Sequence, residues 1–184
     1  MPSPKAVLDA NVLVPVSLTD TLLRSAEHGR LLPFWTEKIL EEVVRNVARL
    51  HPEHDVAKIE RRVEAMKRSF PEAMVVGWEV LEPDMTNHPK DRHVLAAAAH
   101  FEAALVVTSN LRDFPASACE PHNLVAVAPD EFLVALWADD VTAASELVDQ
   151  QAADLRAHDR ESLLNLLASH APRFAALVRS APSE

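Results

Sequence analysis

Short apolar segments alternate with longer amphipathic segments over the first 128 residues, and this alternation limits the fold more than any other feature of the chain. The apolar segments lie at residues 5–16, 31–36, 73–81, 104–108 and 123–128. Segments with helical periodicity lie between them, at residues 19–28, 37–50, 56–70 and 91–104. This order is typical of a parallel sheet covered by helices on both faces. We therefore predict a three-layer α/β/α fold with a parallel central sheet.

The sequence changes character after residue 128, where strand-like segments end. Four segments with apolar positions at helical spacing follow, at residues 130–139, 141–155, 160–169 and 172–179. Such spacing predicts packed amphipathic helices. We therefore expect an α/β domain at residues 1–128 and a helical C-terminal extension at residues 129–184.

The composition restricts the classes of partner and the compartment. The chain has 18 Lys and Arg residues against 28 Asp and Glu residues, a net charge of −10, which argues against a general nucleic-acid coat protein. Cys119 is the single cysteine, as expected in a reducing cytoplasm. We expect no signal peptide and no membrane span, and therefore a cytoplasmic protein. With two glycines, the chain also lacks the phosphate-binding loops of nucleotide-binding proteins.

One segment is positively charged despite the acidic average. Between Arg45 and Arg68 there are seven cations and four acids. Such a segment is either a solvated face with internal ion pairs or a surface that contacts a phosphate backbone. If it contacts nucleic acid, the candidate side chains are Arg45, Arg49, Lys58, Arg61 and Arg62.

A single carboxylate, Asp9, ends the first apolar segment in the motif LDANVLV. Burial of an unpaired carboxylate is costly, so Asp9 must shape a turn, pair with a cation or hold a metal. Asp9 and Asn11 could serve the turn alone, because Asp and Asn often stabilise turns. Further acids at other strand ends would favour the metal.

Such acids recur. Glu42 lies in the helix after the second strand, Asp91 begins the helix before the ALVVT strand, and Asp113 follows that strand. A carboxylate in the first turn of a helix can also interact favourably with the helix dipole, which is a structural alternative for Asp91. Carboxylates that converge repel each other unless a hard divalent cation neutralises them. We therefore predict a Mg²⁺ site, with Mn²⁺ as the alternative, because an all-oxygen ligand set does not suit zinc.

Four blocks together resemble the PIN-domain ribonuclease family, and in particular the VapC-like toxins of bacterial type II toxin–antitoxin modules. The blocks are LDANVLV at residues 8–14, ILEEVVR at residues 39–45, DRHVLAAAAH at residues 91–100 and LVVTSNLRDFP at residues 105–115. The resemblance covers residues 5 to 128. It implies a PIN-like nuclease domain and a metal-dependent endoribonuclease that cleaves RNA, with an antitoxin protein as partner. The extension would then complete the core, form a homodimer or contact RNA.

The resemblance also implies the site residues. Asp9, Glu42, Asp91 and Asp113 match the acidic quartet of the family, which would bind the metal and carry the catalysis. Glu42 is preferred to Glu41 because the family places this acid directly before an apolar residue. Some PIN domains have Asp where this chain has Asn110, so either Asn110 or Asp113 could supply the fourth group.

Other polar residues of these blocks are secondary candidates. Asn11, Ser109 and Asn110 are candidates for contacts to the substrate or to the metal ligands. For His93 and His100, we favour structural positions over a role in proton transfer.

Two alternatives come from other classes of protein. Asp9 could be the nucleophile of a haloacid-dehalogenase-like phosphatase, although Asn11 stands where that motif has a second acid. The chain could also be a non-catalytic PIN scaffold that only binds RNA or protein.

Overall fold

The computed structural model describes residues 3–155 and 159–181. The outer limits of the two predicted domains, residues 1 and 184, lie outside this part of the chain. The strands are β1 (Lys5–Leu8), β2 (Leu32–Phe34), β3 (Leu105–Val107) and β4 (Val125–Val127). The helices are α1 (Ala10–Leu13), α2 (Val16–Glu27), α3 (Glu37–Leu50), α4 (Val56–Ser69), α5 (Arg92–His100), α6 (Ala116–Cys119), α7 (Pro129–Trp137), α8 (Val141–Asp154), α9 (Arg160–Ala168) and α10 (Pro172–Arg179).

The four strands form one parallel sheet in the order β2-β1-β3-β4. Ala6, Val7 and Leu8 of β1 are completely buried, as expected for an inner strand that is covered on both faces. The predicted three-layer α/β/α fold with a parallel sheet is confirmed. Because the strands are parallel, their carboxyl ends lie at one edge of the sheet. Residues that follow β1 and β3 therefore meet at that edge.

The predicted strand at residues 73–81 is wrong. This segment makes one isolated parallel bridge, between Trp35 and Met74. Gly77 then adopts a left-handed conformation with φ +80°, and 3-10 turns follow at Trp78–Val80 and Glu82–Asp84. A left-handed residue turns the chain away from an extended path, so the pairing ends after a single bridge.

The first strand is shorter than the apolar segment at residues 5–16 indicates. β1 ends at Leu8, and the chain enters the single turn α1 at Ala10. The next helix begins at Val16 instead of Thr19, with Pro15 at the N-cap position. Asp9 thus occupies the junction between β1 and α1.

The C-terminal helices pack on α2 and on each other. α8 contacts α2, and α10 contacts α7, α8 and α9. Buried polar groups connect these helices to α2: Gln151 Nε2 donates to Ser17 O at 2.9 Å, and Trp137 Nε1 donates to Ser25 Oγ at 3.0 Å. The described part of the extension therefore contributes to the same hydrophobic core as the sheet.

Within residues 3–155 and 159–181, no helix combines the length and the apolar character that a bilayer-spanning segment requires.

The contact between α8 and α2 gives a test of whether the extension folds together with the sheet. Gln151 is completely buried, and its side chain is bonded to Thr21 Oγ1 at 2.8 Å as well as to Ser17. Gln151→Leu removes these bonds, and we expect the free energy of unfolding to fall by about 1–3 kcal/mol. Gln150→Leu, at the exposed neighbouring position, should change it by less than about 0.5 kcal/mol.

Denaturant unfolding followed by circular dichroism measures both variants. We expect one cooperative transition in each. Two separate transitions in the wild type, or equal effects of the two substitutions, would contradict packing of the extension on α2.

Candidate metal centre

Asp9 is held in place by the sheet and by two side-chain donors. Its backbone N–H continues the ladder of β1 by donating to Val107 O at 3.1 Å. Its carboxylate is buried, with 4% of the residue exposed, and Oδ2 accepts from Thr108 Oγ1 at 2.7 Å and from Asn11 Nδ2 at 2.5 Å. The donors fix one oxygen of Asp9.

Asn11 joins the ends of β1 and β3. Its Nδ2 lies 3.0 Å from Thr108 Oγ1, and its Oδ1 accepts from the backbone N–H of Ser109 at 2.9 Å. Thr108 Oγ1 in turn accepts from the backbone N–H of Asn110 at 3.0 Å. Asn11, Thr108 and the backbone of the 108–110 turn therefore form one hydrogen-bonded network around Asp9, while the side chain of Ser109 is exposed.

Asp91 and Asp113 come from two different loops that meet at this edge. Asp91 takes the N-cap position of α5, yet its side chain makes no capping hydrogen bond, so helix capping does not explain it. Ligand atoms of His88, Asp91 and Asp113 all lie within 4.8 Å of one another. The backbone N–H of His88 donates to Asp113 O at 3.2 Å, and Asn110 Nδ2 donates to the Asp113 carboxylate.

Glu42 reaches the site from α3. Its side chain is 21% exposed, while the adjacent Glu41 is on the exposed side of the helix. Glu42 Oε1 lies 3.2 Å from Nε2 of His93, a completely buried residue of α5, and 3.7 Å from the guanidinium of Arg45. Of the two neighbouring acids, only Glu42 is directed toward α5.

The carboxylates repel one another in a poorly solvated site. Burial raises the pKa of Asp9 to about 6; the Thr108 hydrogen bond opposes this, and the charges of Asp91 and Glu42 add to it. Burial also raises the pKa of Asp91, with a further contribution from Asp113 that His88 and His93 partly offset. The site therefore concentrates negative charge that its own cations do not balance.

The donor set fits a hard divalent cation. Asp9, Glu42, Asp91 and Asp113 offer carboxylate oxygens, which are the ligands that Mg²⁺ and Mn²⁺ prefer. Repulsion between such groups is relieved when a cation binds among them. The raised pKa values of Asp9 and Asp91 show that these carboxylates disfavour their own negative charge, which a bound cation would offset.

Two contributors to the site differ from the sequence-based expectations. His88 was not among the predicted residues, although its place three residues before Asp91, with Pro89 between them, is a local signal for a turn that returns toward the acid. The hydroxyl of Thr108 donates to Asp9, a contact that the sequence did not predict. Their positions depend on how separate loops meet.

The predicted RNA-binding cations divide into two groups. Arg45, Arg49, Lys58 and Arg61 are exposed. The guanidinium of Arg62, in contrast, points inward and donates to Leu13 O, Val14 O and Thr19 Oγ1 at 2.8–3.3 Å, so RNA binding by this residue stays a prediction from the sequence. Arg62 of α4 thus holds the end of α1, the turn that begins after Asp9.

Comparison with known families agrees with this geometry. The sequence pattern that describes the PIN domain matches residues 5–112, which is more than half of the chain. The chain belongs to the PIN domain family. Three of the four carboxylates, those of Asp9, Glu42 and Asp91, fall inside the matched segment. Asp113 is the first residue after that segment.

One similar protein is "Putative ribonuclease VapC50" of Mycobacterium tuberculosis (strain ATCC 25618 / H37Rv), which is 39% identical over 110 residues. The aligned part is 58% of this PIN-domain chain and 64% of that protein, so the match spans less than two thirds of the relative's length. No solved structure shows significant similarity to the chain.

The raised pKa of Asp9 predicts how the metal-free protein responds to pH. The folded state holds the Asp9 proton until about pH 6, whereas an unfolded Asp loses it near 3.8. The contribution of Asp9 to stability is therefore complete below pH 3.8 and is lost as the pH rises to about 6, a loss of about 3 kcal/mol. In EDTA, Asp9→Asn should be more stable than the wild type at pH 8 and similar to it at pH 4.

Thermal unfolding at the two pH values measures this difference. Asp84→Asn, at an exposed position, is the control and should not alter the pH dependence. Added Mg²⁺ should stabilise the wild type and not Asp9→Asn. The raised pKa of Asp9 would be contradicted if the stability of the wild type, relative to that of Asp9→Asn, did not fall between pH 4 and pH 8.

The contacts of Arg62 predict a structural effect that its neighbour lacks. Arg62→Met leaves the carbonyls of Leu13 and Val14 without their side-chain donor, and we expect a loss of about 1–3 kcal/mol in the free energy of unfolding. Arg61→Met, at an exposed position on the same helix, should cost less than about 0.5 kcal/mol. Urea unfolding compares the two, and equal stability of the variants would show that Arg62 does not hold α1.

Proposed function

We propose that the chain is a metal-dependent endoribonuclease and the toxin of a type II toxin–antitoxin module. The observation that carries the proposal is a set of coupled acids from separate elements of a PIN-domain fold, in which the charges of Asp91 and Glu42 act on Asp9 and the charge of Asp113 acts on Asp91. Similarity to a protein whose name describes it as a ribonuclease supports the same activity.

We propose Mg²⁺ as the cation, with Mn²⁺ as the alternative. Asp9 and Asp91 are the proposed direct ligands, and Glu42 and Asp113 are ligands or groups that orient water. A bound cation would supply positive charge to stabilise the phosphodiester during displacement by water.

The surrounding residues would hold the carboxylates ready for that cation. Thr108 and Asn11 fix one oxygen of Asp9, so binding requires little reorganisation of this ligand. Asn110 donates to the Asp113 carboxylate, so the two candidates for the fourth position act as a pair in which Asn110 orients Asp113. His93, buried against Glu42, limits the rotamers that Glu42 can adopt.

The exposed cations would bind the RNA backbone. Arg45 is the best placed, because its guanidinium lies 3.7 Å from Glu42 and is 66% exposed. Arg49, Lys58 and Arg61 extend the positive surface along α3 and α4. Contacts of this kind to phosphates are independent of sequence and weaken with added salt.

The proposed partners and location follow from the toxin assignment. We propose a cognate antitoxin that covers the acidic site with a basic side chain, and a cytoplasmic location. A homodimer stays a prediction from the sequence.

The two alternative functions have different standing. Membership of the PIN domain family removes the basis of the phosphatase alternative. The non-catalytic scaffold remains a competing proposal, and cleavage by the purified protein separates it from the nuclease.

Glu42 and Glu41 provide a matched pair for testing the nuclease. We expect Glu42→Gln to lower the rate of Mg²⁺-dependent RNA cleavage by at least about 10- to 100-fold, the range for loss of a group that supports a metal site. Glu41→Gln should retain the wild-type rate, because this side chain is on the exposed side of α3. Both variants should unfold at temperatures close to that of the wild type.

The assay uses a total-RNA pool with purified protein in Mg²⁺, Mn²⁺ or EDTA. Cleavage by the wild type that EDTA abolishes supports the proposal. Equal activity of Glu41→Gln and Glu42→Gln would remove Glu42 from the site. A wild type that binds RNA and cleaves none of it in either metal would favour the non-catalytic scaffold.

A further inference from the structure

The turn between α3 and α4 gathers a second group of metal-ligating side chains, with no residue in common with the carboxylate site. The sequence is His51-Pro52-Glu53-His54, and the turn is closed by a hydrogen bond from the backbone N–H of His54 to His51 O at 2.9 Å. Pro52 occupies the second position of the turn, which its fixed φ favours. The turn brings the two imidazole rings to a centroid separation of 4.9 Å.

Glu53 lies between the two histidines. Its Oε1 is 3.3 Å from His51 Nδ1 and 3.7 Å from His54 Nε2, and one ligand atom from each residue lies within 4.8 Å of the others. In a tetrahedral site with bonds of about 2.0–2.2 Å, neighbouring ligand atoms are roughly 3.3–3.6 Å apart. The spacing around Glu53 is therefore close to that of a coordinated ion.

The remaining adjustment is rotation of the rings. The two imidazoles are stacked with an interplanar angle of 16°, whereas an ion must lie near the plane of each ring that binds it. The side chains of His51 and His54 are 50% and 53% exposed, so core packing does not oppose the rotation. The group also follows the C-terminus of α3, where the helix dipole favours positive charge.

The ligand chemistry differs from that of the carboxylate site. Two imidazoles and one carboxylate suit Zn²⁺ and similar transition-metal ions, whereas four carboxylates suit Mg²⁺ or Mn²⁺. We propose that His51, Glu53 and His54 form a binding site for a zinc-class ion, separate from the nuclease centre. The two sites would select their metals by ligand type.

An ion bound at this site would have an open coordination position that faces a groove. His51 and His54 line a groove of about 630 Å³ together with Leu50, His170 and Asn11, the partner of Asp9. Three protein ligands leave a fourth place, which water or His170 would fill. A bound ion would fix the α3–α4 turn against the groove that includes Asn11.

Metal titration of the full chain without a histidine tag tests the proposal. We expect the wild type to bind Zn²⁺ in calorimetry and to give the strong visible absorption of tetrahedral Co²⁺. His51→Gln, Glu53→Gln and His54→Gln should each weaken Zn²⁺ binding by at least about tenfold. His100→Gln, at an exposed position of α5, is the control and should bind as the wild type does.

Two further variants locate the ion. Asp91→Asn should keep the affinity for Zn²⁺, because its side chain belongs to the carboxylate site, and His170→Gln tells whether water or His170 fills the fourth place. Melting curves in EDTA verify that the variants fold, and if one histidine variant does not fold, the other decides. Equal Zn²⁺ affinity in the wild type and the His51 or His54 variant, or loss of binding in Asp91→Asn alone, would overturn the proposal.

Discussion

The burial of carboxylates, together with the repulsion among them, is the constraint on which the rest of the site depends. Asp9 is nearly buried, and Asp91 and Glu42 add negative charge near it. A fold could avoid this cost with neutral residues at these positions. The acids instead come from the end of β1, from α3 and from the start of α5, and relief of the cost of keeping them together would favour binding of a divalent cation.

Much of the scaffold around Asp9 serves to hold this charge in one geometry. Thr108 and Asn11 connect the ends of β1 and β3 and donate to the same carboxylate oxygen. From the other side, Arg62 ties the end of α1 to α4 through the carbonyls of Leu13 and Val14. The single turn of α1 is thus fixed at both ends, and Asp9 has little freedom to move away from its neighbours.

The sequence predicted the parts of the fold that depend on local pattern. The parallel sheet followed from alternating apolar and amphipathic segments, and Asp9 and Asp113 followed from their places after buried strands. The segment at residues 73–81 has strand-like composition, yet one left-handed glycine, Gly77, ends its pairing after a single bridge. The apolar pattern alone does not indicate where a left-handed glycine ends the pairing of a strand.

The side-chain contacts that the sequence did not predict have a similar cause. Arg61 and Arg62 have the same chemistry and are adjacent, and the 100° step along a helix places one in solvent and the other against carbonyl groups. His88 lies beside Asp91 and Asp113 because two loops meet there. This long-range contact cannot be predicted from the sequence of either loop alone. The sequence therefore offered candidate acids for the site, while the contacts that surround them became visible only in the fold.

The most direct test of the central claim is to locate the cation itself. Crystals grown with Mn²⁺ and measured near the manganese absorption edge would show the ion by its anomalous scattering. We expect an anomalous peak bonded to Asp9 and Asp91, with Glu42 or Asp113 as a further contact, and no such peak in Asp91→Asn. Manganese absent from these carboxylates in the wild type, with Asp9 protonated or paired to a side-chain cation instead, would contradict it.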